Sequence, residues 1–481
     1  MIVRGRVGAC PAGGNPPEGG ASPLTRRADR RAALALAVLA LAVYNLNFRV
    51  IQDGDTVPAR LLPFALWQTG SVSLDAVAGP ATQVPPGKPY HEAYWLFRSP
   101  DGHLFTRYPI VTPVLISPLY APAVAYLAWR GWEPWRLENT SLRMEKLAAS
   151  LLAALSVGLF FLLARRQAER PRAVLAAVAY GFATSTWVIS SQALWLHGTG
   201  ELLAVCALLA ATAEPTAWSL AAAGMAAGLL AGNRPPDAAL GVAVLVYLAV
   251  RHGRRALWAL GAAAAALAPV VVYNLAVFRH LAGGYGALGL AGPHPYYAHP
   301  LLPGVAGLLV SPAKGLLVFS PFLLFLARRM VPAGRTAGPV LETPRAARGQ
   351  ADRLLELCAA AACLAQLLFY AQTDFRAGAC YGPRFLTDAV PFVVWLLVPV
   401  VARLRGWGLR GFVLTVAAGI AIQAVGAFCY PRGKSDELYY PPALDRLTIA
   451  PSVWSPGDAP FLVEARAGLA PPELLPHRRG K

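Results

Sequence analysis

The chain has little charge and lacks the motifs of common soluble enzymes. Only 14% of its 481 residues are charged, whereas 56% are hydrophobic. No Walker loop, GxSxG elbow, HExxH pair or zinc-finger spacing occurs in a suitable context. The six cysteines lie mostly inside apolar runs, which argues against a disulfide framework. These absences argue against a soluble nucleotide-binding protein and against a structural zinc site.

Long apolar runs recur along the whole chain. A bilayer core needs roughly 20 helical residues at about 1.5 Å of rise each, and the first run, 32–50, is long enough to cross it. Helices satisfy their own backbone hydrogen bonds in lipid, and a membrane barrel would instead show short alternating segments. The sequence therefore predicts an all-α polytopic membrane protein.

The basic residues are distributed as in a membrane protein rather than a nucleic-acid-binding one. The formal net charge is +18, but the arginines cluster between apolar runs, where the positive-inside rule places cytoplasmic loops. The clusters are 26–31, 164–172, 251–255, 326–353 and 402–410. We therefore expect a cytoplasmic N-terminus and no nucleic-acid partner.

Placing all five clusters in the cytoplasm gives about 11 transmembrane helices, within a range of 10–12. The predicted spans are 32–50, 146–164, 173–190, 194–213, 217–232, 235–250, 256–278, 315–327, 354–371, 386–402 and 411–429. The apolar run 110–129 carries prolines that break or kink a helix, and a full crossing there would put later clusters on the wrong side. We interpret it as an interfacial helix.

The chain divides into three predicted parts. Residues 1–31, rich in Gly, Pro and Arg, predict a disordered cytoplasmic tail. Residues 32–430 form the transmembrane domain, whose first outer loop, 51–144, carries interfacial helices. Residues 431–481 form an outer C-terminal tail that either covers a cavity or is a loose appendage. Because the unusual polar residues lie in the outer segments, we expect the functional site on the outer face.

An acidic pair follows the first span directly. Asp53 and Asp55 lie in the segment QDGDTVPAR, residues 52–60. A carboxylate placed here can act as a general base toward a hydroxyl or share a metal ion. The same letters also read as the start of a helix, with a capping carboxylate at its N-terminus. The residues alone leave both interpretations open.

Several cations and aromatic residues join the pair on the predicted outer face. The segment 97–109, FRSPDGHLFTRYP, predicts a short hairpin with Asp-Gly at its turn, and Arg107 ends it at the bilayer edge. Several outer cations suggest an anionic, membrane-embedded ligand such as a lipid phosphate, although headgroup contact is the alternative. The candidate substrate-binding residues are Arg60, Arg107, Trp195, His197, Lys314, Tyr381 and Arg384.

Together these motifs resemble the GT-C superfamily of integral-membrane glycosyltransferases, in the style of protein O-mannosyltransferases and lipid A aminoarabinose transferases. The likeness covers roughly 32–430 and lies in the acidic motif after the first span, the long outer loop with YPIVTPVLISPLY, and GLLVSPAKGLLVFSP and YGPRFLTDAVPF. The family motif has Asp-Glu where this chain has Asp-Gly-Asp. The catalytic residue is therefore Asp55 or Asp53, and Asp55 is preferred because it lies nearest the helix start.

The resemblance implies transfer of a sugar from a polyprenyl-phosphate donor to a glycan, lipid or protein acceptor. It places the enzyme in a bacterial inner membrane with its site facing outward. Asp55 would act on the acceptor hydroxyl, while Arg60, Lys314 and Arg384 would neutralise the leaving phosphate. Trp195 and His197 would shape the sugar or acceptor site. No cofactor is certain, and a divalent metal stays an open alternative.

Three other interpretations compete with this one, the last of which is a non-catalytic member that has kept the fold and lost activity. A transporter or flippase of a lipid-linked anion would explain the cations without catalysis, but the chain shows no internal repeat. A polysaccharide polymerase or ligase would share the outer site and use a lipid diphosphate. Composition does not separate it from the sugar transferase.

Overall fold

The computed structural model describes residues 23–79, 93–290, 299–329, 349–430, 433–442 and 448–474. Nearly all regular structure in these ranges is helical. The helices are α1 Pro23–Asn45, α2 Val57–Thr69, α3 Val111–Ile116, α4 Ala121–Arg130, α5 Pro134–Ala164, α6 Arg170–Phe182, α7 Leu196–Ala211, α8 Ala217–Asn233, α9 Ala238–His252, α10 Leu257–Phe278, α11 Gly283–Leu290, α12 Leu301–Val310, α13 Leu316–Phe319, α14 Gly349–Ala371, α15 Val390–Arg403, α16 Gly406–Phe428, α17 Lys434–Tyr439 and α18 Pro460–Ala467. Two short strands, β1 Leu96–Arg98 and β2 Leu104–Thr106, complete the set.

Within the described ranges, six helical segments are long and apolar enough to cross a bilayer. They are Val111–Arg130, Pro134–Ala164, Pro235–Phe278, Arg353–Ala371, Arg384–Arg403 and Gly406–Phe428. The chain is thus an all-α polytopic membrane protein, and the predicted fold class is confirmed. Because Val111–Arg130 is itself long enough, its interfacial placement and the number of crossings stay predictions.

Several predicted span boundaries differ from the structure, including those of the predicted spans 32–50 and 315–327. The first helix, α1, begins at Pro23, inside the predicted tail, and ends at Asn45 rather than at residue 50. The predicted span at 315–327 is not one regular helix: α13 ends at Phe319, and a 3-10 helix follows over Pro321–Arg329. Pro321 has no amide proton to donate, which explains the interruption.

Small residues let the apolar helices pack closely. On α8, Gly224 and Gly228 lie against the backbone of Ala259 and Ala263 on α10, and a Cβ added at either glycine would come within 2.4 Å of an α10 carbonyl oxygen. Close helix packing through glycines four residues apart is typical of membrane proteins, where dispersion rather than burial from water holds helices together.

The described residues of the segment 51–144 pack around an apolar core to which Leu194 and the α10 residues Tyr273 and Phe278 also contribute. The hairpin prediction is confirmed: β1 pairs antiparallel with β2, with Phe97 opposite Phe105, and Gly102 at the turn adopts a φ of 89°. Leu62, Phe64 and Tyr120 are fully buried in this core, which includes α2, α4 and the first half of α5. The core fixes the position of the acidic segment that precedes α2.

The described part of the C-terminal segment packs on the helical domain. The amides of Glu473 and Leu474 both donate to the carbonyl of Phe48, directly after α1. Ser311 donates to the carbonyl of Val453 at 2.8 Å. These long-range hydrogen bonds place the segment beside the acidic pair.

Candidate functional site

Asp53 is the N-cap of the helical stretch that leads into α2. Its Oδ1 accepts a hydrogen bond from the Gly54 amide at 2.7 Å, and a 3-10 helix over Gly54–Thr56 runs directly into Val57. Carboxylates are favoured at this position because they satisfy free amide protons. Burial, followed by the negative charge of Asp55, raises the pKa of Asp53 above its usual value. The capping interpretation is therefore correct for Asp53.

Asp55 is the most highly connected carboxylate of the site. Its Oδ2 accepts from Arg384 Nη1 at 2.8 Å, and its Oδ1 accepts from the hydroxyls of Tyr108 at 2.5 Å and Tyr94 at 2.7 Å. Burial raises the pKa of Asp55, but the Arg384 guanidinium and the two tyrosine hydroxyls outweigh burial and lower the pKa below its usual value. The carboxylate is therefore ionised at neutral pH.

Gly54 explains why the chain has Asp-Gly-Asp here. A Cβ at this position would lie 2.5 Å from the Tyr94 hydroxyl, closer than real Cβ contacts allow. The missing side chain thus lets the Tyr94 ring cross the loop and reach Asp55. Burial, followed by the charges of Asp55 and Asp53, raises the pKa of Tyr94, so its hydroxyl keeps its proton as a hydrogen-bond donor.

Arg384 is held on aromatic surfaces as well as by Asp55. Its guanidinium carbon lies 4.5 Å from the ring centroid of Trp195 and 5.7 Å from that of Phe385. Such cation–π contacts fix the direction of the guanidinium. The Trp195 indole in turn donates to the carbonyl of Ile51 at 3.2 Å, which joins the loop before α7 to the acidic segment.

A second ionic group lies beside this pair. His197 Nδ1 is 2.7 Å from Asp388 Oδ2, and Arg234 contacts the same oxygen. Arg234 Nη2 also donates to the Tyr370 hydroxyl at 2.8 Å. All four side chains are buried and hold one another in place. The two basic residues, His197 and Arg234, line the same cavity as Asp55.

Two cavities meet at Trp195. The smaller cavity is lined by Asp55, Tyr108, Trp195, Leu196, His197, Arg234, Tyr285 and Arg384. The larger cavity is lined by Arg49, Val50, Ile51, Gln52, Asp53, Ile189, Trp195, Ala379, Cys380, Tyr381, Tyr430, Gly433, Asp436 and Glu473. The acidic pair is thus divided: Asp55 faces the smaller cavity and Asp53 the larger one.

Six of the predicted residues, Trp195 among them, therefore line the two cavities. Asp55, Trp195, His197 and Arg384 line the smaller cavity, and Asp53 and Tyr381 join Trp195 in the larger one. The Tyr381 hydroxyl donates to the carbonyl of Ile422 at 2.7 Å.

Three predicted cations do not line either cavity. Arg107 donates to the carbonyl of Leu96 at 2.6 Å and belongs to the hairpin. Lys314 is fully buried and donates to the carbonyl of Cys380, so it supports the loop before Tyr381. Arg60 donates to Gln52 and Glu138, each at 2.7 Å.

Arg60 connects the acidic segment to α5. Its side chain is 4% exposed, and its Nη1 lies 3.7 Å from Glu145 Oε2, which is fully buried. Glu145 Oε1 accepts from the Leu194 amide at 3.1 Å, next to Trp195. Glu145 on α5 therefore contacts both α2, which follows Asp55, and the loop that carries Trp195.

Replacing Arg60 tests whether this ion pair is structural. Arg60→Met leaves the buried Glu145 carboxylate uncompensated, so we expect a loss of about 3–5 kcal/mol in the free energy of unfolding. Urea unfolding of the purified protein in detergent measures it, with Arg143→Met, an exposed arginine on α5 near Glu145, as control. Unchanged stability with weaker donor binding would instead support the phosphate-binding role predicted from the sequence.

Metal binding has no dedicated residue cluster in the described ranges. No group of three or more His, Cys, Asp or Glu side chains converges there. The oxygens of Asp55 are engaged by Arg384 and the two tyrosines. The divalent metal that the sequence left open stays a prediction.

Sequence reasoning missed the partners that complete the site. Tyr94 and Tyr108 look like an ordinary interfacial aromatic belt in the sequence, yet both hydroxyls bind Asp55. Asp436 and Glu473 lie in the C-terminal segment, hundreds of residues from Asp53. The Asp-Gly-Asp spacing is the only local signal, because a glycine between two acids marks a close approach by another side chain.

Two solved structures are similar to this chain. Both are ArnT from Cupriavidus metallidurans, one bound to undecaprenyl phosphate and one in the apo state. The first is 15% identical, with a TM-score of 0.48, over 89% of this chain and 67% of that one. The second is 16% identical, with a TM-score of 0.47, over 84% and 65%. The chain thus spans about two thirds of the length of ArnT.

No family model matches the chain. No curated protein matches it either.

Proposed function

We propose that this chain is a membrane glycosyltransferase that moves a sugar from a polyprenyl-phosphate donor to an acceptor at the outer face of the membrane. The observation that carries the proposal is the contact between Asp55 and Arg384 in a cavity that Arg234 also lines. A carboxylate beside two guanidinium groups supplies a proton acceptor and a counter-charge for a phosphate. The polyprenyl donor is proposed from the GT-C resemblance of the segment 51–144.

The chemical step requires both the Asp55 carboxylate and the guanidinium groups. The acceptor oxygen attacks the anomeric carbon, and its proton passes to the Asp55 carboxylate. The bond between the anomeric carbon and the phosphate oxygen breaks, and its electron pair stays on the phosphate. Arg384 and Arg234 stabilise the charge that develops there, because preorganised cations act most strongly where charge appears in the transition state.

Donor binding would also control the basicity of Asp55. In the structure, Arg384 neutralises Asp55 and lowers its pKa. A bound phosphate competes for the same guanidinium, so Asp55 loses part of its counter-charge and its pKa rises. The carboxylate therefore becomes a better base only when the donor is in place.

The remaining predicted residues take supporting roles in this proposal. Trp195 lines both cavities and contacts Arg384. Its indole ring would therefore pack against the sugar whose bond to the phosphate breaks. His197 lines the smaller cavity and is oriented by Asp388. Arg60 and Lys314 act at a distance, by holding the loops that carry Asp55 and Tyr381.

A transfer assay tests the function itself. The purified chain in lipid nanodiscs is incubated with a polyprenyl-phosphate hexose labelled in the sugar, together with envelope extract as the acceptor source. We expect the label to leave the donor lipid and enter acceptor material. In vesicles, movement of intact donor across the bilayer without cleavage would contradict the proposal and favour a flippase.

A second donor separates the transferase from the polymerase or ligase. A polyprenyl-diphosphate oligosaccharide is offered to the same preparation in place of the monophosphate. We expect turnover of the monophosphate only, since the GT-C resemblance implies a polyprenyl-phosphate donor and the smaller cavity presents two guanidinium groups to its single phosphate. Turnover of the diphosphate alone would support the polymerase or ligase.

A further inference from the structure

The larger cavity has a chemistry different from that of the proposed phosphate site. Its volume is about 260 Å³, and its walls come from the segment after α1, the loop before Tyr381 and the C-terminal segment. The described part of that segment contributes Gly433, Asp436 and Glu473. The cavity is thus completed by the part of the chain whose role the sequence left open.

Its charge is negative. Three carboxylates line it, those of Asp53, Asp436 and Glu473, against the guanidinium of Arg49. The buried Lys314 ammonium, which does not line the cavity, partly offsets the charge of Asp436. Arg49 is already paired with Glu473 and also donates to the carbonyl of Pro471. Carboxylates accept hydrogen bonds and repel anions. The cavity therefore disfavours a phosphate or a carboxylate ligand.

The lining also supplies aromatic surfaces and a carboxylate oxygen that has no partner. Trp195, Tyr381 and Tyr430 contribute rings. The Tyr430 hydroxyl donates to Asp436 Oδ2 at 2.6 Å, whereas Asp436 Oδ1 is buried without a hydrogen-bond partner among the described residues. A buried acceptor of this kind is costly unless a donor reaches it. A ligand hydroxyl or ammonium group would satisfy it only after the lining shifts, because almost none of this oxygen's surface is open to water.

The position of this cavity links it to the reacting bond. Trp195 is shared with the smaller cavity, where Arg384 and Arg234 face Asp55. A ligand in the larger cavity therefore lies against a residue that also lines the proposed phosphate site. The two cavities would hold the two substrates next to one shared residue, Trp195.

We propose that the larger cavity binds the sugar ring of the acceptor, and that this ring is hydroxyl-rich, neutral or amine-bearing, and free of acidic groups. The identification of the ligand as the acceptor rests on the proposed function. The preference for a sugar ring without acidic groups rests only on the lining of the cavity. A volume of about 260 Å³ lies just below the range of roughly 300–1,000 Å³ typical of small-molecule pockets, which fits a single ring better than a longer glycan.

Ligand-observed NMR tests the binding preference without any transfer reaction. The full chain in nanodiscs is mixed with methyl glucoside, methyl glucosaminide or methyl glucuronide, and saturation transfer to each glycoside is measured. We expect transfer to the first two and none to the glucuronide. Octyl glucoside below its micellar concentration forms a fourth arm: tighter binding than methyl glucoside indicates a lipid-borne acceptor, and equal binding a soluble one.

A matched pair of variants assigns the signal to this cavity. Ala379 lines the cavity and is exposed, so Ala379→Trp fills the space without disturbing a packed core. Ala76 is exposed in the segment 51–144 and lines neither cavity, so Ala76→Trp is the control. We expect the glycoside signals to be lost in Ala379→Trp and retained in Ala76→Trp.

The outcomes separate this inference from the proposed function. Binding of the glucuronide, equal signals in the two tryptophan variants, or no glycoside signal at all would overturn the cavity assignment, whatever the transfer assay shows. If the glycosides bind and Ala379→Trp abolishes the binding, but no sugar leaves a polyprenyl-phosphate donor, the binding site stands and the proposed function is wrong.

Discussion

Asp55→Asn should abolish most sugar transfer while leaving the protein folded. Asparagine keeps the size of the side chain and can still accept from Tyr94 and Tyr108, but it has lost the negative charge that Arg384 contacts and the proton-accepting carboxylate. A positioned general base contributes about 10²–10⁴-fold to a rate, so we expect a loss of that size. The measurement is the labelled sugar transferred per unit of purified protein, and the glycan content of envelope material at matched membrane levels.

Two further carboxylates provide the comparison. Asp53→Asn retains a side chain that can cap the helix, so we expect its rate to stay within roughly tenfold of the unchanged chain, about 1.4 kcal/mol. Asp75→Asn removes a carboxylate of the same segment that binds His103 and the Leu104 amide away from both cavities, and should have no effect on transfer.

The pattern among these variants decides which carboxylate is the base. If Asp53→Asn is inactive and Asp55→Asn is active, the proton acceptor is the residue that faces the larger cavity, and Asp55 only positions Arg384. Full modification with both variants would show that neither residue is catalytic.

The general architecture could be predicted from the sequence because it depends on local patterns. Continuous apolar runs predict membrane helices wherever they occur, and the Asp-Gly turn predicts the hairpin between Phe97 and Phe105. The helix start near DTVPAR follows from the letters that surround it, but only the structure shows that Asp53 is the capping residue. Each of these features is determined within about twenty residues of chain.

The site itself depends on long-range contacts that no local pattern contains. Arg60 and Arg384 are both cations on the predicted outer face, yet one pairs with α5 carboxylates and the other with Asp55. The difference arises because Arg60 lies on the buried face of α2, next to Leu61 and Leu62, whereas Arg384 enters from a segment 329 residues away. The sequence predicted candidate residues for the site but could not determine which of them meet.

Arg384 is the residue for which charge and basicity can be tested together. Its guanidinium contacts Asp55 at 2.8 Å and packs on Trp195. Removing one preorganised contact to a developing charge typically costs about 10²–10³-fold in turnover, so Arg384→Gln should lose activity on that scale. Arg384→Lys keeps the positive charge but lacks the planar guanidinium group, so it should retain part of the activity. Arg98→Gln, an exposed hairpin arginine that lines neither cavity, is the control.

The pH profile of Arg384→Gln gives a readout that a purely structural loss would not change. Arg384 helps to lower the pKa of Asp55, so the ion pair stabilises the fold above the ordinary carboxyl pKa of about 3.9 and loses that effect as pH falls through the lowered value. Without Arg384, burial raises the pKa of Asp55. The residual activity should therefore begin to fall at a higher pH than in the unchanged chain as the solution is acidified, whereas an unshifted acid limb would show that Asp55 is not the titrating base.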